Sequence, residues 1–234
     1  MALPPESSES FVREVDENLR RDQMALAAKK YGNLAIIAAG LFLLAVGGYL
    51  YWQDRQAKAA QIDTEQLYST LEAAQNPADT SVAASLDKLA QSDAEAVSAS
   101  ARLSRAALAL QTNDRKTALS IYTAMSADKG LEQAYRDLAL VRATALEFDA
   151  LKPDQVISRL QPLAQTGQPF FGSAGEMTAL AMLAKGQKTQ AGQLFAKLAA
   201  DKDVPETIRS RAVQIASSLG VDASAALPAV ATAQ

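Results

Sequence analysis

Hydrophobic and polar positions divide this chain into three stretches with different periods. Phe11, Val15 and Leu19 recur at four-residue spacing among charges, which predicts an amphipathic helix over 11–30. The proline- and serine-rich residues 1–10 ahead of it are expected to be disordered. From Tyr31 to Gln53 no charged residue occurs. Within that window Leu34–Trp52 is apolar enough to cross a bilayer, since about 20 residues at roughly 1.5 Å each span the roughly 30 Å hydrocarbon core. Nine of its residues are Leu, Ile, Val or Phe, so insertion is favoured by about 3 to 5 kcal/mol. The reading is a single transmembrane helix over 31–53. A signal peptide fits poorly, because its apolar run is about 7–15 residues and ends at a small-residue cleavage site. This run is longer and ends in Tyr49, Tyr51 and Trp52, rings suited to a membrane–water interface.

Beyond Trp52 the apolar positions follow a helical period, and strand-like alternation is absent. Turn signals punctuate the region at Asn76-Pro77, Asn113-Asp114, Lys129-Gly130, Lys152-Pro153, Gly167-Gln168-Pro169, Gly186 and Val204-Pro205. Helix starts are expected at Asp79 to Ser81, Pro153 and Pro205. One pattern, a small or apolar residue followed by two large ones, appears four times. Its copies are Val82, Leu86 and Leu89; Ala118, Tyr122 and Met125; Val156, Leu160 and Leu163; and Ala191, Phe195 and Leu198. Their spacings of 36, 38 and 35 residues lie near the 34-residue period of tetratricopeptide repeats. Each helix pair then has a face it can bury only against the next pair. The Trp, Leu, Gly and Tyr positions of a consensus first helix are not kept, although Ala106 sits where its small residue belongs. The expected architecture is all-α: one transmembrane helix, then a degenerate solenoid of about four helix pairs over 54–220. A capping helix over 205–219 should close it, with Arg209 and Arg211 in water and a loose tail over 221–234. Pro162 should kink or end its helix.

Charge assigns a side to each half. Arg20, Arg21, Lys29 and Lys30 precede the apolar run, against Arg55 and Lys58 after it. The positive-inside bias puts the N-terminus in the cytoplasm and the repeats across the membrane, in the periplasm if the cell is Gram-negative. Lys29, Lys30, Tyr49, Tyr51 and Trp52 are the expected interface residues. The 11–30 helix reads as a stub whose basic residues meet lipid head groups, or alternatively as a docking helix for a membrane partner. Ala35, Ala39, Gly47 and Gly48 offer small surfaces within the membrane helix, though such residues are ordinary there.

Chemistry-bearing residues are scarce. The chain has no histidine and no cysteine, which removes the commonest general base, thiol nucleophiles and the usual metal ligands. Ser85–Lys88 and Ser126–Lys129 have a Ser-x-x-Lys spacing but lack its companion motifs, so they read as solvated surface. Gly172-x-x-Gly175 reads as a turn into the next helix. After Trp52 there are 18 Lys and Arg against 20 Asp and Glu, a balance that does not favour nucleic acid. No cofactor, small-molecule substrate or catalysis is expected; a protein-binding surface is. Phe170 and Phe171, beside Pro169, are candidate exposed contacts for a partner, or else tuck back onto the solenoid edge.

The order REVDENLRR (13–21), KKYG (29–32), a membrane helix ending GYLYW (48–52), then degenerate repeats resembles the bacterial YfgM-like tetratricopeptide proteins. YRDLALVRA (135–143), PFFGSAGEMTALAMLAKGQKTQAGQLFAKLA (169–199) and VPETIRSRA (204–212) resemble the alphaproteobacterial branch. The resemblance implies an inner-membrane protein ancillary to the Sec translocon. Periplasmic chaperones and emerging secretory chains would be its partners. A membrane-tethered scaffold for envelope assembly or cell division is the alternative function.

Overall fold

A computed structural model describes residues 6–75 and 80–223. Nine helices run through the described residues, and no strand occurs among them: α1 (Glu6–Ala73), α2 (Ser81–Leu89), α3 (Glu95–Gln111), α4 (Arg115–Ala127), α5 (Gln133–Glu147), α6 (Pro153–Leu160), α7 (Phe171–Ala184), α8 (Lys188–Ala200) and α9 (Glu206–Ser218). The chain divides into two compact units, Met1–Ala59 and Ala60–Gln234. In the first, α1 begins at Glu6, so residues 6–10 are helical rather than disordered. No boundary falls between the amphipathic and apolar stretches, because no proline interrupts the helix from Glu6 to Ala73.

The second unit contains the repeats. From Ala60 onward the end of α1 shares a core cluster with α2 and α3 through Leu67, and α3 then packs with α4, α5 with α6, and α7 with α8. Helix α9 packs on α8 and reaches α7. Every member of the four sequence triads is buried. The core is divided accordingly. One cluster holds Val82, Leu86 and Leu89 with Leu67 and Val97. A second holds Ala118, Tyr122 and Met125, and a third holds Val156, Leu160 and Leu163. The last gathers Phe195 and Leu198 with Phe171, Val213 and Ala216. Alanines keep the helices close: Ala99, Ala101, Ala106, Ala139, Ala174 and Ala179 are fully enclosed.

Turn chemistry explains where the helices stop. Asn113 takes a left-handed φ of 60°, Asp114 N–H donates to Ala109 O at 2.8 Å and Asn113 N–H to Leu110 O at 3.1 Å. That is a Schellman termination of α3. Gly186 (φ 78°) ends α7 in the same way, with Gln187 N–H on Met182 O and Gly186 N–H on Leu183 O, both at 2.9 Å. Pro153 occupies the first turn of α6 as expected, while Pro205 is the N-cap of α9. Helix α6 ends at Leu160, just ahead of Pro162.

Three expectations are corrected. Gly172 and Gly175 lie inside α7, not in a turn before it. A Cβ on Gly175 would sit 3.0 Å from Leu198 Cδ2 and 3.1 Å from Phe171 Cε2, so close helix packing accounts for that glycine. The tail is not loose from 221. Ala223 is buried with the last cluster, and Val221 Cγ2 would lie 2.8 Å from a Cβ on Gly192. Arg209 is half-buried with its Nε enclosed rather than in water, whereas Arg211 stays exposed as expected and is also paired, as described below. The expected Asn76-Pro77 turn, the Asp79 cap, residues 1–5 and the tail from 224 lie outside the described residues.

Candidate functional site

In the first unit the apolar stretch of α1 has no protein cover. Within Ile36–Ala73 an 18-residue window reaches a mean hydropathy of 1.6, with none of it buried. That is long and apolar enough to cross a membrane. Its predicted interface residues Lys29, Lys30, Tyr49, Tyr51 and Trp52 are all exposed. Lys30 Nζ lies 5.3 Å from the centre of the Tyr31 ring, and the Arg55 guanidinium 5.5 Å from that of Tyr51. Arg55 Nε also donates to the Tyr51 hydroxyl at 3.1 Å. A cation and an aromatic ring thus stand together at each end. From Tyr31 to Trp52 the helix is about 32 Å long, close to the thickness of a hydrocarbon core.

In the second unit Phe171 is corrected as an exposed contact: it is 2 % exposed and opens α7 with its ring in the last core cluster. Phe170, the N-cap, is half-buried and lines a loop cavity with Pro169, Asp203 and Pro205. A stronger apolar opening lies between the end of α1 and α3. There Leu67, Tyr68, Leu71 and Val97 line a cleft of ≈ 320 Å³. Tyr68 is 72 % exposed although its neighbour Leu67 is buried. Adjacent helical residues are about 100° apart, so only one of that pair can face the core. The Leu67-Tyr68 pair is the sequence signal that marks this cleft. The Ser126 hydroxyl donates to Thr123 O at 2.8 Å, while Lys88 and Lys129 are exposed. No contact of these residues prepares a nucleophile.

Charged side chains tie successive pairs together. Arg105 meets Asp87 at 3.2 Å between α3 and α2, and Lys185 pairs with Asp154 between α7 and α6. Arg115 donates to Leu146 O between α4 and the end of α5. Arg211 Nε and Nη2 hold both oxygens of Glu176 at 2.6 and 2.8 Å, joining α9 to α7. That hydrogen-bonded pair raises the Arg211 pKa further. Within the second pair, Arg102 donates to Asp128 at 2.8 Å, and Gly130 N–H donates to the same carboxylate at 3.0 Å. The Arg102 hydrogen bond first, then that of Gly130, hold the Asp128 carboxyl below the ordinary aspartate range. Asp114 is likewise lowered by hydrogen bonds from Thr117, whose N–H it accepts as the cap of α4.

Compared with known families, residues 28–216 match the Tetratricopeptide repeat-like domain. The chain belongs to this family. The match takes in the apolar stretch of α1 together with all four buried triads. No curated protein and no solved structure matches the chain. Tetratricopeptide repeat-like domains are protein-interaction modules, and stacked helix pairs offer extended surfaces for that purpose.

Proposed function

We propose that this chain is a single-pass inner-membrane protein whose repeat domain binds protein partners on the periplasmic side, without catalysis. One observation carries the reading: an uncharged, uncovered helical stretch the length of a bilayer core lies within one family match with the stacked repeat helices. The Lys and Arg excess before the stretch supports a cytoplasmic N-terminus. The likeness of 13–52 and 135–212 to YfgM-like proteins supports the Sec translocon and periplasmic chaperones as partners. A tether suits such work, because it raises the effective concentration of a weak binder beside its partners. Tyr68 and Leu71 in the α1–α3 cleft are the apolar contacts we assign to a protein partner.

The chain has no cysteine, so single cysteines report topology cleanly. A membrane-impermeant maleimide applied to intact spheroplasts should label Thr207→Cys and leave Gln23→Cys unmodified until the cells are lysed. The reverse pattern would overturn the orientation. A photo-crosslinker at Tyr68 in living cells should capture translocon or chaperone components. Recovery of neither, with the protein confined to the division septum, would replace this reading with the scaffold.

A further inference from the structure

The cations that flank the apolar stretch of α1 differ in what they hold. On the C-terminal side, Lys58 Nζ is paired with Asp54, one helical turn away, at 2.6 Å. Arg55 has no such neighbour: Tyr51, Trp52, Lys58 and Ala59 occupy the positions three and four residues to either side, where a helix would supply a carboxylate. It makes no ion pair among the described residues. Its guanidinium instead stands 5.5 Å from the centre of the Tyr51 ring, and its Nε donates to the Tyr51 hydroxyl at 3.1 Å.

This pair leaves donors unused. The Tyr51 hydroxyl accepts from Arg55 and still has its own O–H to give. The guanidinium keeps its Nη donors, in a planar fork that matches the two free oxygens of a phosphodiester. Lys30 also stands over a ring, 5.3 Å from the centre of Tyr31, but no hydroxyl joins it among the described residues. Depth suits the same ligand. From Lys30 to Arg55 the helix rises about 37 Å, against roughly 30 Å of hydrocarbon core and roughly 40–45 Å with the head groups. A helix centred on the core therefore carries Arg55 to the level of the lipid phosphates. Tyr51, Trp52 and Arg55 are all exposed, so a lipid reaches them freely.

We propose that Arg55 and Tyr51 form a site for the phosphodiester of an anionic glycerophospholipid, in the leaflet at the C-terminal end of the apolar stretch. The Nη donors take its two free oxygens, and the Tyr51 O–H donates to one of them. Asp54 and Lys58 cancel each other, so the site presents one positive charge to one negative charge. A zwitterionic head group brings a cation of its own and gains less. The proposal rests on the membrane-spanning reading and gives that anchor a lipid preference.

The test uses the full chain in nanodiscs of phosphatidylglycerol and phosphatidylcholine mixed in varied proportion, with one of the two brominated on its acyl chains. Bromine quenches tryptophan on close approach, and Trp52, beside Tyr51, is the only tryptophan in the chain. Its quenching therefore reports which lipid occupies the site. Phosphatidylglycerol should be favoured about fivefold, the effect of one basic residue at an anionic surface. Arg55→Gln should bring the two lipids to near equality. Tyr51→Phe keeps the ring and removes the O–H, and should reduce the preference about two- to threefold. Asp54→Asn with Lys58→Gln leaves the net charge as it is and should leave the preference unchanged. Full preference in Arg55→Gln or Tyr51→Phe, or its loss in the Asp54–Lys58 double variant, would overturn the site. Displacement of the lipid by millimolar inorganic phosphate would also overturn it, because the ligand would then be a free anion. Equal quenching by both lipids in the parent chain would remove the site and leave the anchor standing. Quenching by neither would overturn the membrane-spanning reading itself.

Discussion

Asp128 does two jobs at the end of α4, accepting from Arg102 on α3 and from Gly130 N–H in its own turn. Both donors stabilise the carboxylate, so its folded pKa lies below the unfolded value of about 3.9. The stability it contributes is present above that unfolded value and is lost as pH falls through the folded one. Asp128→Asn should therefore lower the thermal midpoint at pH 7 and leave a smaller fall between pH 5 and pH 3 than the parent chain shows. Circular dichroism melts across that range would check it, and parallel acid limbs would contradict it. Arg102 also reaches Ala90 O, where Ser98 Oγ already donates. One arginine thus serves the C-terminal ends of both α2 and α4.

At the scale of elements, α7 is the helix whose sequence is most constrained by its neighbours. Two glycines in its first turns would ordinarily weaken a helix by about 1 kcal/mol each relative to alanine. Both are positions of close approach: Gly172 lies against Val204, Pro205 and Ile208, and Gly175 against Leu198 and the Phe171 ring. Gly175→Ala sets that helix-propensity gain of about 1 kcal/mol against an overpacking cost of about 1–3 kcal/mol. Leu198 and Phe171 are themselves enclosed, so packing should prevail and the variant should be less stable. Urea denaturation would show this as a lower midpoint, and a raised midpoint would mean that the neighbours can yield. The same enclosure removes Phe171 from the partner surface, whereas its neighbour Phe170, at the cap, remains half-buried.

Across the whole repeat domain the core is a row of clusters rather than one centre, so each pair depends on the next. The last cluster has no following pair and is closed by α9, through Ala212, Val213 and Ala216, with the Arg211–Glu176 bridge at its side. Deleting residues 206–234 should expose Phe171, Phe195 and Leu198. The expected result is a lower melting temperature and concentration-dependent aggregation of the nanodisc-free protein, measured by light scattering. An unchanged melt would mean that α8 closes the stack by itself.

Periodicity made much of this legible in advance. The four triads identify the buried side of α2, α4, α6 and α8, because a 3.6-residue helix with one apolar stripe leaves little choice of core face. Proline chemistry foretold the end of α6, and the charge-free run foretold a membrane-length helix, since both effects are local to the backbone or to composition. The first-turn glycines of α7, the burial of Phe171, the packed 221–223 segment and the Arg211 clamp were not legible. Each depends on residues from another helix arriving at the same place, and sequence spacing holds no record of that. The enclosure of Thr178 in α7 with its hydroxyl unpaired belongs to the same class. Sequence alone determined the membrane-length helix, the repeat period and the inward faces; tertiary structure decided which surfaces stay open, because exposure is settled only when neighbouring helices have packed.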